Sequence, residues 1–105
     1  DMIRRGGENF APREIEDAIL KHPDVREAAA IGVPDALRGQ VVKAFVVAER
    51  AGDDAFVREL QDLVRQRLSQ HEYPRLVAFV AELPKTPAGK VNRKALRERE
   101  SRQAA

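Results

Sequence analysis

Apolar residues along the chain alternate between the spacing of strands and the spacing of helices. Residues 41–47 are rich in β-branched side chains, which is typical of a buried strand, and residues 25–33 and 76–80 are further apolar runs that predict strands. Apolar side chains recur at helical spacing after Pro12 and again over residues 55–69, which predicts two amphipathic helices. Pro23 ends the first of them.

The order of these elements predicts a small α+β domain that comprises residues 1–105. The chain begins with an apolar segment that ends in a tight turn at Gly6 and Gly7, and a last helix is expected from Lys94 to about residue 102. Because the connection between the strands at 25–33 and 41–47 is short, we expect a mostly antiparallel sheet. About three helices would pack against it.

The composition excludes several kinds of site. The sequence has no cysteine, and His22 and His71 lack ligand-pair spacing, so we expect neither a disulfide nor a metal site. No apolar run approaches the roughly 20 residues needed to cross a bilayer, so no transmembrane segment is expected. The chain starts at Asp1 without an initiator methionine, and we expect it to be a fragment of a cytoplasmic protein.

Charge is distributed unevenly along the sequence. Residues 85–105 carry seven basic and two acidic residues, a balance of +5, whereas residues 1–84 have a balance of −3. Such a run is usually the solvated face of a helix, but it also suits an anionic ligand. The basic character is therefore a property of the C-terminal tail alone.

Residues 84–93 read Pro-Lys-Thr-Pro-Ala-Gly-Lys-Val-Asn-Arg and form the most specific motif in the chain. The two prolines and Gly89 keep this stretch out of regular structure, and Lys90 directly follows the glycine. A stiff loop that presents one ammonium group ahead of a basic helix suits an anionic substrate. The stretch is not a nucleotide P-loop, because Pro84 and Val91 stand where that motif needs glycine and serine or threonine.

This motif resembles the pattern Pro-Lys-Thr-x-x-Gly-Lys-x-x-Arg near the C-terminus of the adenylate-forming acyl-CoA synthetases. Three further segments are similar to that family in the same order, namely residues 1–16, 37–47 and 71–75. His71 departs from the pattern, since the family usually has an aromatic residue there. The resemblance implies the small, mobile C-terminal domain of such an enzyme, without its large N-terminal domain.

The resemblance implies an ATP-dependent acid–thiol ligase that uses ATP with Mg²⁺ and coenzyme A (CoA), and whose C-terminal domain is inactive by itself. In that family the lysine after the glycine, here Lys90, is the catalytic one for acyl-adenylate formation. A lysine between the substrate carboxylate and the α-phosphate offsets the repulsion of the two anions. The domain would then rotate against its own N-terminal domain for the second half-reaction.

The second half-reaction would use other residues. By resemblance, the loop containing Gly7 and Glu8 lines the tunnel for the pantetheine arm of CoA. Arg38, Tyr73 and Arg75 are weaker candidates for holding the CoA nucleotide, because cations and an aromatic ring suit a phosphorylated adenosine.

Two alternatives remain open. A phosphopantetheine on a carrier protein can replace CoA as the acceptor, as in peptide-synthetase adenylation domains. The basic tail by itself is also compatible with a module that binds nucleic acid, although the tail holds no aromatic residue for base stacking. We favour the CoA-dependent enzyme, with a carboxylic acid as its other substrate and no nucleic acid as partner.

Overall fold

The computed structural model describes residues 3–5, 8–68 and 73–104, with side chains for residues 11–68 and 73–102. Within these ranges the chain forms three helices and five strands, which confirms the predicted α+β class. In chain order the elements are β1 (Ile3–Arg5), β2 (Glu8–Phe10), α1 (Pro12–Ile19), β3 (Val25–Asp35), β4 (Gly39–Ala48), α2 (Asp54–Arg67), β5 (Leu76–Phe79) and α3 (Arg93–Ala104).

The strands form a hairpin and a three-stranded sheet. β1 and β2 pair antiparallel, with Ile3 opposite Phe10. In the larger sheet β4 is central: β3 runs antiparallel to it and β5 runs parallel to it. The parallel pairing arises because α2 carries the chain back across the sheet before β5 begins. The sheet is therefore mixed, and the antiparallel pairings are those between neighbours in sequence.

β3 is longer than the apolar run predicts. We expected a strand over residues 25–33 followed by a loop, whereas β3 continues to Asp35, which lies opposite Gly39. Pro34 is accommodated because β3 is an edge strand, where alternate N–H groups have no neighbouring strand to bond. The turn between β3 and β4 is correspondingly short.

The two faces of the larger sheet bury separate hydrophobic clusters. The first cluster, on the side of α1 and α2, consists of Ile15, Ala18, Ile19, Ala28, Ala30, Val42, Ala44, Val46, Phe56, Leu60 and Val64. The second cluster, on the opposite face, consists of Ala29, Ile31, Val33, Val41, Phe45, Leu83 and Leu96. Consecutive residues of β3 and β4 thus enter opposite clusters, as the pleat of a strand requires. Both faces of this strand pair are covered.

Each helix begins within one residue of its predicted start. Pro12 is the first residue of α1, a position where its missing N–H has no helical partner to lose. Asp53 caps α2, because its Oδ1 accepts the N–H of Phe56 at 2.8 Å. Asn92 precedes α3 and its Oδ1 accepts the N–H of Ala95 at 3.1 Å. None of the described helices is long and apolar enough to cross a membrane.

Gly52 makes room for the ring of Phe79 in the turn before α2. A Cβ placed on Gly52 would lie 2.1 Å from the nearest atom of that ring. The ring in turn stacks on Phe56, with centroids 5.1 Å apart. A methyl group at position 52 must therefore displace Phe79 from the edge of the first cluster.

We expect Gly52→Ala to lower the free energy of unfolding by about 1–3 kcal/mol, the usual cost of overpacking. Urea unfolding followed by circular dichroism measures this change. In a Phe79→Leu background the same substitution should cost less, because the smaller side chain leaves space for the methyl group. An equal cost in the two backgrounds would rule out the contact with Phe79 as its cause.

A polar cluster joins the turn before β3, the segment after β4 and helix α2. Arg50 donates to both carboxylate oxygens of Glu59, at 2.6 and 3.1 Å, and its guanidinium lies 4.4 Å from the ring centroid of Phe56. His22 Nε2 lies 3.2 Å from the same carboxylate. The hydrogen bonds from Arg50, and after them the one from His22, lower the pKa of Glu59 from 4.5 to about 2.

This lowered pKa predicts a loss of stability in acid. The contribution of Glu59 is fully present above pH 4.5 and is lost as the pH falls towards about 2, because the unfolded chain binds the proton first. Glu59→Gln should therefore flatten the fall in the urea midpoint across this pH range. Glu82→Gln, which changes an exposed carboxylate, is the matched control and should keep the slope. Identical pH profiles for the two variants would show that Glu59 is not responsible.

Candidate functional site

The motif at residues 84–93 forms a closed loop between β5 and α3. The backbone makes an antiparallel bridge between Lys85 and Val91. Below the bridge, the N–H of Asn92 donates to the carbonyl of Pro84 at 2.8 Å. The two sides of the loop are thus held together at their base. We call residues 84–92 the lysine loop.

The tip of the lysine loop is fixed by hydrogen bonds among three residues. The N–H of Thr86 donates to the carbonyl of Lys90 at 2.7 Å, and the N–H of Gly89 donates to the carbonyl of Thr86 at 2.8 Å. The Oγ1 of Thr86 accepts the N–H of Lys90 at 3.3 Å. Thr86 therefore organises the backbone on both sides of the glycine.

Gly89 has a φ of +84°, in the left-handed region that side chains with a Cβ disfavour. Apart from its two neighbours in the chain, no described residue has an atom within 4 Å of the position that a Cβ would occupy, so the glycine is required by the backbone angle and not by crowding. This conformation turns the chain back so that Lys90 follows at the start of the returning strand.

Lys90 is an exposed residue of the lysine loop. Its backbone N–H is bonded to Thr86, but its side-chain amine makes no hydrogen bond or ion pair with any other described residue. It stands on the rim of an open groove of about 570 Å³. The groove lies between the end of the lysine loop and helix α1, which contributes Arg13 and Asp17 to the lining, together with Leu20 just after the helix.

The other two cations of the motif are paired with acidic residues. Lys85 Nζ lies 2.6 Å from Glu27 on β3. Arg93 forms two hydrogen bonds to the carboxylate of Glu16 on α1, one of them from Nε at 3.0 Å. Lys90 is therefore the motif cation whose amine has no acidic partner in the described part of the chain.

The predicted residues for the second half-reaction lie in other parts of the fold. Gly7 lies outside the described residues, as does His71. Glu8 begins β2 and pairs with Arg5 across the hairpin. Arg38 occupies the turn between β3 and β4, where its N–H donates to Asp35 at 2.9 Å and is the main cause of the lowered pKa of that carboxyl.

Tyr73 and Arg75 lie together in front of β5. The guanidinium of Arg75 is 5.2 Å from the ring centroid of Tyr73, and that of Arg65, on α2, is 3.9 Å from it. The carbonyl of the buried Pro74 accepts a hydrogen bond from Gln61 of α2 at 3.0 Å, which fixes this segment. The ring is thus already in contact with two cations.

The sequence alone does not indicate the contacts of two residues at these sites. Arg65 belongs to the polar side of α2, and only the fold brings it to the ring of Tyr73. Glu16 precedes its partner Arg93 by 77 positions, so no local spacing indicates their contact. The one available signal is that Glu16 adjoins Ile15 in a helix whose apolar side is buried.

The described residues contain no group of three or more histidine, aspartate or glutamate side chains that could hold a metal ion.

Comparisons with known proteins identify the class to which this fold and loop belong, the C-terminal domains of adenylate-forming enzymes. The sequence model of the AMP-binding enzyme C-terminal domain matches residues 14–90. The chain belongs to this family.

Similar proteins are much longer than this chain. Human mitochondrial acyl-coenzyme A synthetase ACSM1 is 44% identical over 107 residues, which is 98% of this chain and 18% of that protein. The crystal structure of Brucella canis acyl-CoA synthetase matches the whole chain with a TM-score of 0.95 at 46% identity, over 20% of its own length. The amide bond synthetase McbA from Marinactinospora thermotolerans matches 93% of this chain, and 20% of its own, with a TM-score of 0.85 at 40% identity.

The backbone angle at Gly89 leads to a test of the loop. Gly89→Ala should lower the free energy of unfolding by about 1–2 kcal/mol, because a left-handed residue with a Cβ is strained. Gly89→Asn should cost less, since asparagine adopts this conformation more readily. Urea unfolding measures both changes, and Ala88→Asn at the neighbouring exposed position is the control. A larger cost for asparagine than for alanine would contradict this account.

Proposed function

We propose that this chain is the C-terminal domain of an ATP-dependent, AMP-forming acyl-CoA synthetase, and that Lys90 is its catalytic residue for acyl-adenylate formation. The observation that carries the proposal is the exposed Lys90 amine in a motif, residues 84–93, whose other two cations are paired with acids. Family membership over residues 14–90 supports it. The substrates are a carboxylic acid, ATP with its Mg²⁺, and CoA.

The first half-reaction explains why a single mobile ammonium is useful. A carboxylate oxygen attacks the α-phosphorus of ATP, the bond from that phosphorus to the bridging oxygen breaks, and pyrophosphate leaves. Two anions must approach each other, and negative charge increases on the phosphate oxygens. The Lys90 amine is a compact charge on a flexible stem, and it can lie between the two groups. Donors placed where charge develops contribute most in a site closed to water.

In the second half-reaction the CoA thiolate attacks the acyl carbon and AMP leaves. We propose that Gly7 and Glu8 then line the pantetheine tunnel and that the domain rotates against its N-terminal domain between the two steps. The two half-reactions would use separate loops, since the β1–β2 hairpin precedes α1 whereas the lysine loop follows β5, and this separation is the reason for proposing a rotation.

The nucleotide of CoA would bind to cations on a third part of the surface, in front of β5. Tyr73 and Arg75 remain our candidates, and Arg65 joins them because its guanidinium lies on the tyrosine ring. Guanidinium groups bind phosphates well, so this cluster suits the phosphorylated adenosine. Arg38 is a weaker candidate, because Asp35 lies 3.6 Å from its guanidinium.

The acceptor is the open part of this proposal. A relative with this fold is named an amide bond synthetase, so an acceptor other than CoA is a specific alternative, as is a carrier-protein phosphopantetheine. Incubating the full-length enzyme with a chemically prepared acyl-adenylate and each acceptor in turn would distinguish them. We expect CoA to be used. The parent enzyme is predicted to be cytoplasmic, which cell fractionation tests.

We expect Lys90→Ala in the full-length enzyme to lower the rate of acyl-adenylate formation by about 10²–10³-fold, the typical effect of removing a group that stabilises transition-state charge. ATP–pyrophosphate exchange measures this half-reaction. Thioester formation from supplied acyl-adenylate should be retained, because Lys90 serves only the first step.

Lys94→Ala is the matched control, since Lys94 is an exposed lysine four positions away on α3. It should leave both half-reactions intact. Equal loss of the two half-reactions in Lys90→Ala, or a normal exchange rate, would refute the proposed role.

A further inference from the structure

The carboxylate of Glu16 is the buried acidic group of the described core, with 7% of the residue exposed. Its Oε2 accepts the backbone N–H of Ala30 at 2.8 Å and the Nε of Arg93 at 3.0 Å. Its Oε1 accepts the Nη2 of Arg93. One carboxylate thus joins α1, β3 and the residue that directly follows the lysine loop.

Stability alone is a weak explanation for this ion pair. A buried ion pair is weak evidence for a gain in stability, since replacing it with well-packed apolar residues often leaves the free energy of unfolding unchanged. What a guanidinium and a carboxylate supply is geometry, because two parallel N–H···O bonds fix both planes. Here the geometry is imposed three residues after Lys90, at the end of the loop.

We propose that Arg93 is a positioning residue, which fixes Lys90 at the rim of the groove through the buried carboxylate of Glu16 and does not itself contact substrate. The inference rests on the proposed role of Lys90. Lys85 and Glu27 hold the opposite strand of the loop to β3, so the loop is attached to the body at both ends.

The competing interpretation is that Arg93 binds a phosphate of the substrate directly. Arg93 lines the groove beside Lys90, and 27% of its side chain is exposed, but two of its three nitrogens are already bonded to Glu16. Withdrawing the guanidinium towards a ligand would leave the Glu16 carboxylate buried without its counter-charge, which is strongly unfavourable. A phosphate would therefore compete poorly for this arginine, and the positioning role is favoured.

The test uses the full-length enzyme with Arg93→Lys and Glu16→Gln, each alone and each combined with Lys90→Ala. Arg93→Lys keeps the charge but loses the planar fork, and Glu16→Gln keeps an acceptor for Ala30. Each single variant should lower ATP–pyrophosphate exchange by about 10- to 100-fold, as a small misplacement of a reacting group does. Thioester formation from supplied acyl-adenylate should be unchanged.

The double variants separate positioning from direct contact. If Arg93 acts through Lys90, Arg93→Lys should cause no further loss of exchange in the Lys90→Ala background. Glu16→Gln should behave in the same way.

The ion pair between Lys43 of β4 and Glu100 of α3 provides a matched control. Like the Glu16 pair it is largely buried, with side-chain exposures of 19% and 21%. It also attaches α3 to the rest of the fold, but it lies outside the lysine loop. Lys43→Gln should leave both half-reactions at their normal rates. Thermal unfolding of each variant shows whether losses of stability are comparable.

Each outcome is decisive. Multiplicative losses in the double variants would mean that Arg93 contacts substrate, and normal exchange in Arg93→Lys would mean that it has no role; either overturns the inference. If Arg93→Lys and Glu16→Gln lower both half-reactions equally, and Lys43→Gln does the same, the Glu16–Arg93 pair has only a structural role. A normal rate of ATP–pyrophosphate exchange in the single variant Lys90→Ala would refute the proposed function. If exchange falls in Lys90→Ala but not in Arg93→Lys or Glu16→Gln, only the inference about Arg93 is refuted.

Discussion

The burial of β4 on both faces is the constraint on which the rest of the structure depends. Val42 and Val46 are fully buried in the first cluster, and Val41 and Phe45 are almost fully buried in the second. A strand of this kind needs covering layers on both sides. α1 and α2 form one layer, and the other is completed by residues on either side of the lysine loop, Leu83 and Leu96. The hydrophobic effect therefore fixes both ends of the loop while its tip remains in solvent.

Charge pairing then determines which cation of the motif is available. A surface pair such as Lys85 with Glu27 contributes little free energy, because both side chains remain 38% exposed. Its consequence is electrostatic, since each paired acid cancels a positive charge beside the loop. The C-terminal tail is consequently less basic in three dimensions than its sequence balance of +5 indicates. This weakens the case for a nucleic-acid-binding module, which depended on that balance alone.

The sequence pattern predicted the elements that are determined by interactions between residues close together in the chain. The β-branched run gave β4 within two residues at its start and one at its end, and the turn before α2 contains Asp53, the cap. The parallel pairing of β5 with β4 was not predictable in this way, because it depends on where the chain returns after α2. Ion pairs between distant residues were missed for the same reason. In the sequence Glu16 is one of several acidic residues near the start of a helix, and only the fold places Arg93 beside it.

The attachment of the lysine loop has a consequence for how Lys90 would reach its substrates. A flexible loop delivers a side chain by its own motion, while the rest of the domain stays still. This loop is closed by backbone hydrogen bonds, is tied to β3 and α1 by ion pairs, and is flanked by two buried leucines. Moving Lys90 by more than the length of its own side chain therefore requires moving the sheet and helices with it. The rotation of the whole domain that we propose is a motion that such a loop permits, and it would bring the hairpin at the start of the chain to a new position in the same movement.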